Sequence, residues 1–200
     1  MNAKYMVLVL AAIICVFAII GTGSLNRVKH TFDEATLQSR AATQQIGMCF
    51  DWYGLTLIDT TVQYSHDIID SKTAIARLEE GHSKNKELLK QYFKTSLQEE
   101  EQYAQYISNQ DHVVDEILYR LYACIKTEDK EKVKEFIPAI YTTTGPMCDA
   151  INKIIEIKTE VCIKANNEAI KSIKQAQAFL ILLFALFAAL CAGIFMPDLD

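Results

Sequence analysis

The feature that most constrains this chain is a pair of apolar segments at its two ends. Residues 5–26 contain no charged side chain, and the 19 residues 178–196 contain neither a charge nor a strongly polar side chain. A helix of 19 residues is about 28 Å long, which is close to the thickness of the hydrocarbon core of a bilayer. A polar block, residues 24–175, carries 19 of the 20 Lys and Arg and 23 of the 25 Asp and Glu. The pattern predicts a polar domain between two membrane spans and argues against a cytosolic enzyme.

The transmembrane helices are predicted at residues 1–23 and 176–196, with residues 197–200 as the start of a cytoplasmic segment. The first apolar segment has an alternative interpretation as a cleaved signal peptide, since Lys4 and the small residues of Gly21-Thr22-Gly23 suit one. The second apolar segment, and a helical pattern that continues without a break from the first, favour an uncleaved anchor. Lys4 is the only basic residue outside the polar block, so the positive-inside rule does not decide the orientation.

The composition of the polar block excludes several classes of protein. It is too rich in aliphatic and aromatic residues for a disordered segment, and it lacks the basic excess of a nucleic-acid-binding domain. Its two prolines and four glycines are too few for the turns of an all-β domain of this size. The sequence contains no Gly-rich phosphate loop, no paired His/Cys metal spacing and no nucleophile elbow. We therefore expect an all-α domain that is not an enzyme and that holds neither a cofactor nor a metal.

Apolar residues recur along the block at alternating three- and four-residue steps, which is the period of packed helices. Four such runs are separated by short junctions, and the junctions carry the helix-start signals Asp70-Ser71, Ser96 with Glu99, and Thr127 before Glu128-Asp129. Short connections make successive helices antiparallel. The predicted fold is an antiparallel up-down-up-down four-helix bundle over residues 24–175, flanked by the two transmembrane helices.

This layout resembles the four-helix-bundle sensor region of bacterial methyl-accepting chemotaxis proteins. The resemblance covers nearly the whole chain. It rests on the spans at 5–23 and 178–196, the three junctions, the stretch Thr127 to Phe136 and the later Asn166-Asn167-Glu168-Ala169. It implies a homodimer in the inner (cytoplasmic) membrane with an extracytoplasmic bundle, whose partner is a small-molecule ligand or a periplasmic binding protein. It also implies that ligand occupancy crosses the membrane as a small helix displacement, read by cytoplasmic signalling domains beyond the chain end.

The chain departs from that family in one respect, because it stops four residues after the second apolar segment, without a HAMP linker or a methylation hairpin. Two other functions fit the same layout. One is the input module of a two-span histidine kinase or diguanylate cyclase. The other is a stand-alone membrane adaptor protein whose bundle binds another protein.

A register argument locates a candidate ligand site. If the first and fourth helices are antiparallel, residues at equal height have numbers that sum to about 200, so 141–146 lie level with 54–59. Pro146 removes a backbone donor, and we expect the fourth helix to kink or open near Thr142. The predicted ligand-binding residues are Tyr53, Thr56, Thr60, Tyr141, Thr142, Thr143 and Thr144. The alternative is that these threonines bond to their own helix and that the proline is only a kink.

In the family that the chain resembles, arginines often hold a ligand carboxylate, since a guanidinium binds it bidentately. Arg40 and Arg77 lie at other heights, which does not favour an amino-acid ligand. Cys49 and Cys148 share a height by the same rule, and a disulfide between them needs Cα atoms within about 7 Å. Both also fall on apolar seams, so a pair of buried thiols is the alternative.

The remaining conspicuous side chains have structural interpretations. Asp111 and Lys158 fall on apolar seams at unmatched heights and are taken as snorkelling or edge positions. The run Glu99-Glu100-Glu101 is interpreted as the solvated face of a helix N-terminus. The aromatic cluster of Phe50, Trp52 and Tyr53 is expected to pack in a core or a dimer interface. Surface positions are expected for the four histidines, His30, His66, His82 and His112.

Overall fold

The structure, a computed structural model, describes residues 3–195 and is all-helical, as the sequence predicts. Its α-helices are α1 (Ala3–Asp51), α2 (Leu57–Ser65), α3 (Ser71–Tyr92), α4 (Glu101–Lys126) and α5 (Lys130–Phe195). A π-helical segment, Trp52–Thr56, joins α1 to α2, and a 3₁₀ turn, Gln98–Glu100, precedes α4. No β-strand occurs between residues 3 and 195. The predicted cytoplasmic start at 197–200, Met196 of the second predicted span, and residues 1–2 of the first lie outside the described residues.

The chain divides into two compact units, and the first comprises the residues up to Leu37 together with those from Cys162 onward. This unit consists of the beginning of α1 and the end of α5. The two helical segments approach each other at Gly21, where an added Cβ atom would lie 3.9 Å from Cδ2 of Leu180.

One described helix, α5, contains a stretch that is long and apolar enough to cross a membrane, judged by its length and composition. Large apolar side chains of this stretch are exposed: Phe179, Ile181, Leu182, Phe184 and Leu186. Exposed apolar surface of this kind is consistent with membrane association. The chain is also helical from Ala3 through the first predicted span, but most side chains of that span lie outside the described set. The span at 1–23 stays a prediction.

The second unit is Gln38–Val161, which we call the packed unit. Fully buried apolar side chains from α1 to α5 form its core: Ile46, Leu57, Leu78, Ile107, Leu121, Ile125, Met147 and Ile151. Most of them lie on the apolar seams of the sequence, because a helix turns one stripe of side chains inward every three or four residues.

Side-chain hydrogen bonds fix the register of the packed unit. We call α1, the π-helical segment and α2 together the first helical stretch. The pairs that join it to α3 are Gln45 with Gln91, Tyr53 with Asn85, and Gln63 with Arg77. Residue numbers rise on one side as they fall on the other, so α3 runs antiparallel to the first stretch. The pairs Tyr53 with Asp111 and Tyr64 with Ile125 join that stretch to α4. Here both numbers rise together, so α4 runs parallel to it.

Two of the predicted helix starts are capped near the expected residues. The Asp70 carboxylate accepts a hydrogen bond of 2.6 Å from the backbone N–H of Thr73, at the start of α3. The Asp129 carboxylate accepts one of 3.2 Å from the backbone N–H of Lys132, at the start of α5. Each carboxylate satisfies an N–H group that has no partner within the helix.

The predicted capping box of Ser96 and Glu99 is wrong by one residue. Glu100, not Glu99, accepts a hydrogen bond of 3.2 Å from the backbone N–H of Leu97, and it is fully buried. The Ser96 hydroxyl instead donates to the carbonyl of Phe93 at 3.3 Å. The change matters because it turns the Glu100 side chain into the core.

The irregular turn of the packed unit lies in its first helical stretch and not in α5. The helix α5 continues from Lys130 to Phe195 through Pro138 and Pro146, so the opening predicted near Thr142 does not occur. The π-helical segment Trp52–Thr56 carries the irregularity instead. Segments of this kind are frequent at functional sites.

Gly81 gives a test of how this segment packs. A Cβ atom at Gly81 would lie 2.3 Å from Cζ3 of Trp52, so alanine must displace the indole ring. We expect Gly81→Ala to lower the free energy of unfolding by about 1–3 kcal/mol, measured by denaturant unfolding of the purified chain. The matched control is Gly145→Ala in α5, which would meet no atom within 4 Å. It should raise stability by about 0.5–1 kcal/mol. Equal effects would contradict the packing of Trp52 on Gly81.

Candidate functional site

A cleft of about 310 Å³ opens between the first helical stretch and α3, beside the π-helical segment. Its apolar lining comes from Met48, Trp52 and Leu88. Its charged lining consists of four exposed side chains, Asp51, Arg77, Glu80 and Lys84. Thr56 and Asn85 complete the lining with neutral polar groups. The cleft therefore combines an apolar wall with charged and neutral polar groups, and small-molecule sites likewise use a few polar groups to orient a ligand against apolar surface.

The Trp52 side chain forms one wall of the cleft and is only 4% exposed. Its six-membered ring packs on Gly81, and its ring centroid lies 6.3 Å from that of His82. In the described part of the chain, the indole Nε1–H is buried without a hydrogen-bond partner. A buried donor in this state costs free energy that a bound acceptor would return.

Asn85 connects the cleft to the core. Its Nδ2 group donates a hydrogen bond of 2.8 Å to the Tyr53 hydroxyl, which in turn donates one of 2.5 Å to Oδ1 of Asp111. The bond to Tyr53 fixes the orientation of the amide, and it leaves Oδ1 of Asn85 buried with no partner among the described residues. Burial, followed by the charge of Asp111, raises the pKa of Tyr53 far above its ordinary value. Tyr53 therefore keeps its proton and acts as the donor.

The buried carboxylate of Asp111 is neutralised by Lys86. Nζ of Lys86 lies 2.5 Å from Oδ2 of Asp111 and 2.7 Å from Oδ2 of Asp115, and Nε2 of His82 lies 3.4 Å from Oδ1 of Asp115. Partial burial lowers the pKa of Lys86, but its hydrogen bonds to the two carboxylates outweigh this and raise the pKa overall. We call Tyr53, His82, Asn85, Lys86, Asp111 and Asp115 the polar network. The interpretation of Asp111 as an edge position is wrong, because a lysine from α3 allows it to be buried.

A second buried charge pair joins α5 to the start of α4. Nζ of Lys158 lies 2.9 Å from Oε1 of Glu100, with the two side chains 3% and 0% exposed. The Tyr92 hydroxyl donates a hydrogen bond of 2.7 Å to Oε2 of Glu100, and Nζ of Lys158 lies 5.4 Å from the centre of the Tyr92 ring. Burial and the Glu100 carboxylate raise the pKa of Tyr92. The predicted edge position of Lys158 and solvated position of Glu100 are both wrong.

The seven residues predicted to bind a ligand occupy different environments. Tyr53, Thr60 and Thr144 are buried, Thr56 and Thr143 are half-buried, and Tyr141 and Thr142 are exposed. Thr56 lines the cleft, and the Thr142 hydroxyl donates to the Pro138 carbonyl of its own helix at 2.8 Å. The predicted register between the first and fourth helices is nearly correct, since a Cβ atom on Gly54 would lie 3.3 Å from Sγ of Cys148. The ligand-binding role of the seven residues stays a prediction.

Cys49 and Cys148 are both buried free thiols, so the structure has the pair of buried thiols and not the disulfide. Burial raises the pKa of Cys49 to about 12 and the pKa of Cys148 to about 11. The nearby carboxylates Asp111 and Asp149 add to these shifts. Thiols in this state are poor nucleophiles, because the reactive form is the thiolate.

Sequence reasoning missed four members of the polar network: His82, Asn85, Lys86 and Asp115. A signal for two of them was present, since His82 and Asn85 fall on the apolar seam of the second run, opposite the seam that holds Asp111. Polar residues at inward positions of facing helices indicate a buried hydrogen-bond network. Among the described side chains, no three His, Cys, Asp or Glu residues are grouped to hold a metal ion.

Comparison with protein-family models, with curated proteins and with solved structures finds no match to this chain.

The Lys158–Glu100 pair predicts a strong effect on stability. Lys158→Met leaves the Glu100 carboxylate buried without its cation, and we expect a loss of about 3–5 kcal/mol in urea unfolding followed by circular dichroism. Adding Glu100→Gln should recover part of the loss, because it removes the uncompensated charge. The control is Lys153→Met on the same helix, whose partner Glu156 is exposed, and it should leave stability nearly unchanged. Equal losses for the two lysine variants would contradict the buried pair.

The buried cysteines predict a pattern of thiol reactivity. At pH 8, well below their raised pKa values, Cys49 and Cys148 should resist a maleimide reagent in the folded chain and react after denaturation. Mass spectrometry of the labelled peptides measures this, and the half-buried Cys124 serves as the internal comparison. A Cys49–Cys148 disulfide in the unreduced protein would contradict the assignment.

Proposed function

We propose that this chain is the sensor region of a bacterial transmembrane chemoreceptor. Residues 24–175 form an antiparallel four-helix bundle outside the cytoplasmic membrane, residues 1–23 and 176–196 cross the membrane, and two copies form a homodimer. The architecture is supported by the exposed apolar end of α5 and by the register of the hydrogen bonds between the first helical stretch and α3. The layout that resembles chemotaxis receptors supports the function.

The observation that carries the proposal is the position of Asn85. This one side chain lines an open cleft and also donates to Tyr53, which holds the buried carboxylate of Asp111. A ligand that moves Asn85 changes the hydrogen bonding of Tyr53 and hence the partners of a buried charge. Because a buried charge is costly without its partners, the helices that supply those partners must adjust together.

The signal then passes from helix to helix through paired groups. Asp111 lies in α4, the helix that begins directly after Glu100, and Glu100 holds Lys158 of α5. Two arrangements of packed helices that differ by a few kcal/mol are enough for a switch. The ligand must bind one arrangement more tightly than the other, since equal affinity for both would shift nothing. In this proposal α5 delivers the displacement to the second membrane span.

The location of the bundle tests the proposal. Cys124 and Cys162 are half-buried free thiols, and the proposed topology places both outside the cytoplasmic membrane. We expect a membrane-impermeant maleimide to label them in intact spheroplasts under reducing conditions, scored by mass spectrometry of the purified chain.

Two controls make this labelling decisive. The double variant Cys124→Ser/Cys162→Ser should lose the label, and a lysed sample sets the maximum for each site. Labelling that occurs only after lysis would put the bundle in the cytoplasm and refute the chemoreceptor proposal.

A further inference from the structure

We infer that the cleft binds a small uncharged molecule that carries both a hydrogen-bond acceptor and a donor, such as a lactam, a urea or a heterocyclic base. The acceptor pairs with the indole N–H of Trp52, and the donor pairs with Oδ1 of Asn85. This inference rests on the proposed sensor function, since it names the class of ligand sensed.

Two residues that line the cleft have unsatisfied polar atoms. Trp52 and Asn85 both line the cleft and are 4% and 1% exposed, yet Nε1 of the first and Oδ1 of the second have no partner among the described residues. One of these atoms is a donor and the other an acceptor. Buried polar groups in folded proteins are nearly always paired. Of the six described buried polar atoms without a partner, these two belong to residues that line this cleft, so a single ligand there would satisfy both.

The charged side chains that line the cleft are balanced. The exposed side chains that line the cleft are two acids, Asp51 and Glu80, and two bases, Arg77 and Lys84. Their formal charges cancel, and Arg77 already donates a hydrogen bond of 3.0 Å to Oε1 of Gln63. These residues therefore carry no net charge that would select an anion or a cation. The two unsatisfied atoms beneath them are neutral, which favours a neutral ligand.

The size of the cleft also suits a small ligand. A cleft of about 310 Å³ lies at the small end of the range of ligand pockets, about 300–1,000 Å³, which suits a molecule the size of a heterocyclic base. The apolar lining of Met48, Leu88 and the Trp52 ring suits the faces of such a ring. Since both unsatisfied atoms are buried, binding requires a small movement of Trp52. This residue begins the π-helical segment, the one irregular turn of the first stretch.

Trp52 also provides the readout, because it is the only tryptophan in the chain. The experiment titrates the full chain, in detergent, with uracil and with hypoxanthine, and follows the emission of Trp52. Acetate, methylammonium and glycine serve as anionic, cationic and zwitterionic probes, together called the charged probes, under the same conditions. We expect a saturable change in emission with at least one neutral base at millimolar concentration, and a linear or absent response to the charged probes.

Variants assign the change to the cleft. Asn85→Ala should weaken binding about tenfold or more, because it removes the acceptor for the ligand N–H. The matched control Asn109→Ala, at an exposed position of α4, should leave binding unchanged. Because Asn85 also holds Tyr53, Trp52→Phe is the second variant. It keeps most of the ring but loses the N–H, and its binding is measured by calorimetry with the same expected loss.

Each result decides something. A saturable response to a neutral base that both cleft variants weaken supports the inference. No saturation with either base, or saturation that neither variant alters, overturns it. Saturation by acetate, methylammonium or glycine overturns the neutral class while leaving the cleft as a ligand site. Failure here combined with labelling of Cys124 and Cys162 from outside would leave the sensor proposal standing, whereas labelling only after lysis would refute the sensor proposal itself.

Discussion

Buried charges need partners, and in this protein that requirement fixes how the helices of the packed unit fit together. Lys158 of α5 is held by Glu100 just before α4, and the same carboxylate takes the hydroxyl of Tyr92 from the end of α3. Farther along, Asp111 of α4 is held by Lys86 of α3 and by Tyr53 of the first stretch. Sliding one helix by a single turn would leave a charge in the core without its partner, at a cost of about 3–5 kcal/mol. Apolar burial stabilises many registers of packed helices, and these charges select one of them.

The same chemistry makes the site suitable for a switch. An apolar core beneath the cleft would absorb a displaced side chain by small repacking, with little consequence farther away. Beneath this cleft, Asn85, Tyr53 and Asp111 are linked by hydrogen bonds of 2.8 and 2.5 Å, so moving the first alters the electrostatic environment of the last. Low local dielectric strengthens such links and also raises the cost of breaking them. A discrete change of partners is thereby favoured over a continuous deformation.

The helical fold could be predicted from the sequence, whereas most of the polar network could not. Helices follow from the spacing of apolar residues, which is a local property, and the starts of α3 and α5 follow from Asp70 and Asp129. The partner of a buried charge is a long-range property. Asp111 and Lys158 lie at unmatched heights because each has a different partner. Asp111 pairs with Lys86, and Lys158 pairs with Glu100. Glu100 is one of three consecutive glutamates, and the sequence pattern does not distinguish the single one that is buried.

The place of the irregular turn has the same kind of cause. Pro146 is the local signal for a broken helix, yet α5 continues through it, while the first stretch changes to π-helical geometry at Trp52–Thr56, where no proline occurs. The large Trp52 ring packs on α3 at Gly81, where a single Cβ atom would lie 2.3 Å from the ring. A π-helical turn contains an extra residue, which changes the side chains that face inward. Here Trp52 lines the cleft and Tyr53 contacts Asp111. The π-helical turn thus coincides with long-range packing of Trp52 on Gly81, and the same turn supplies both the wall of the cleft and its link to the core.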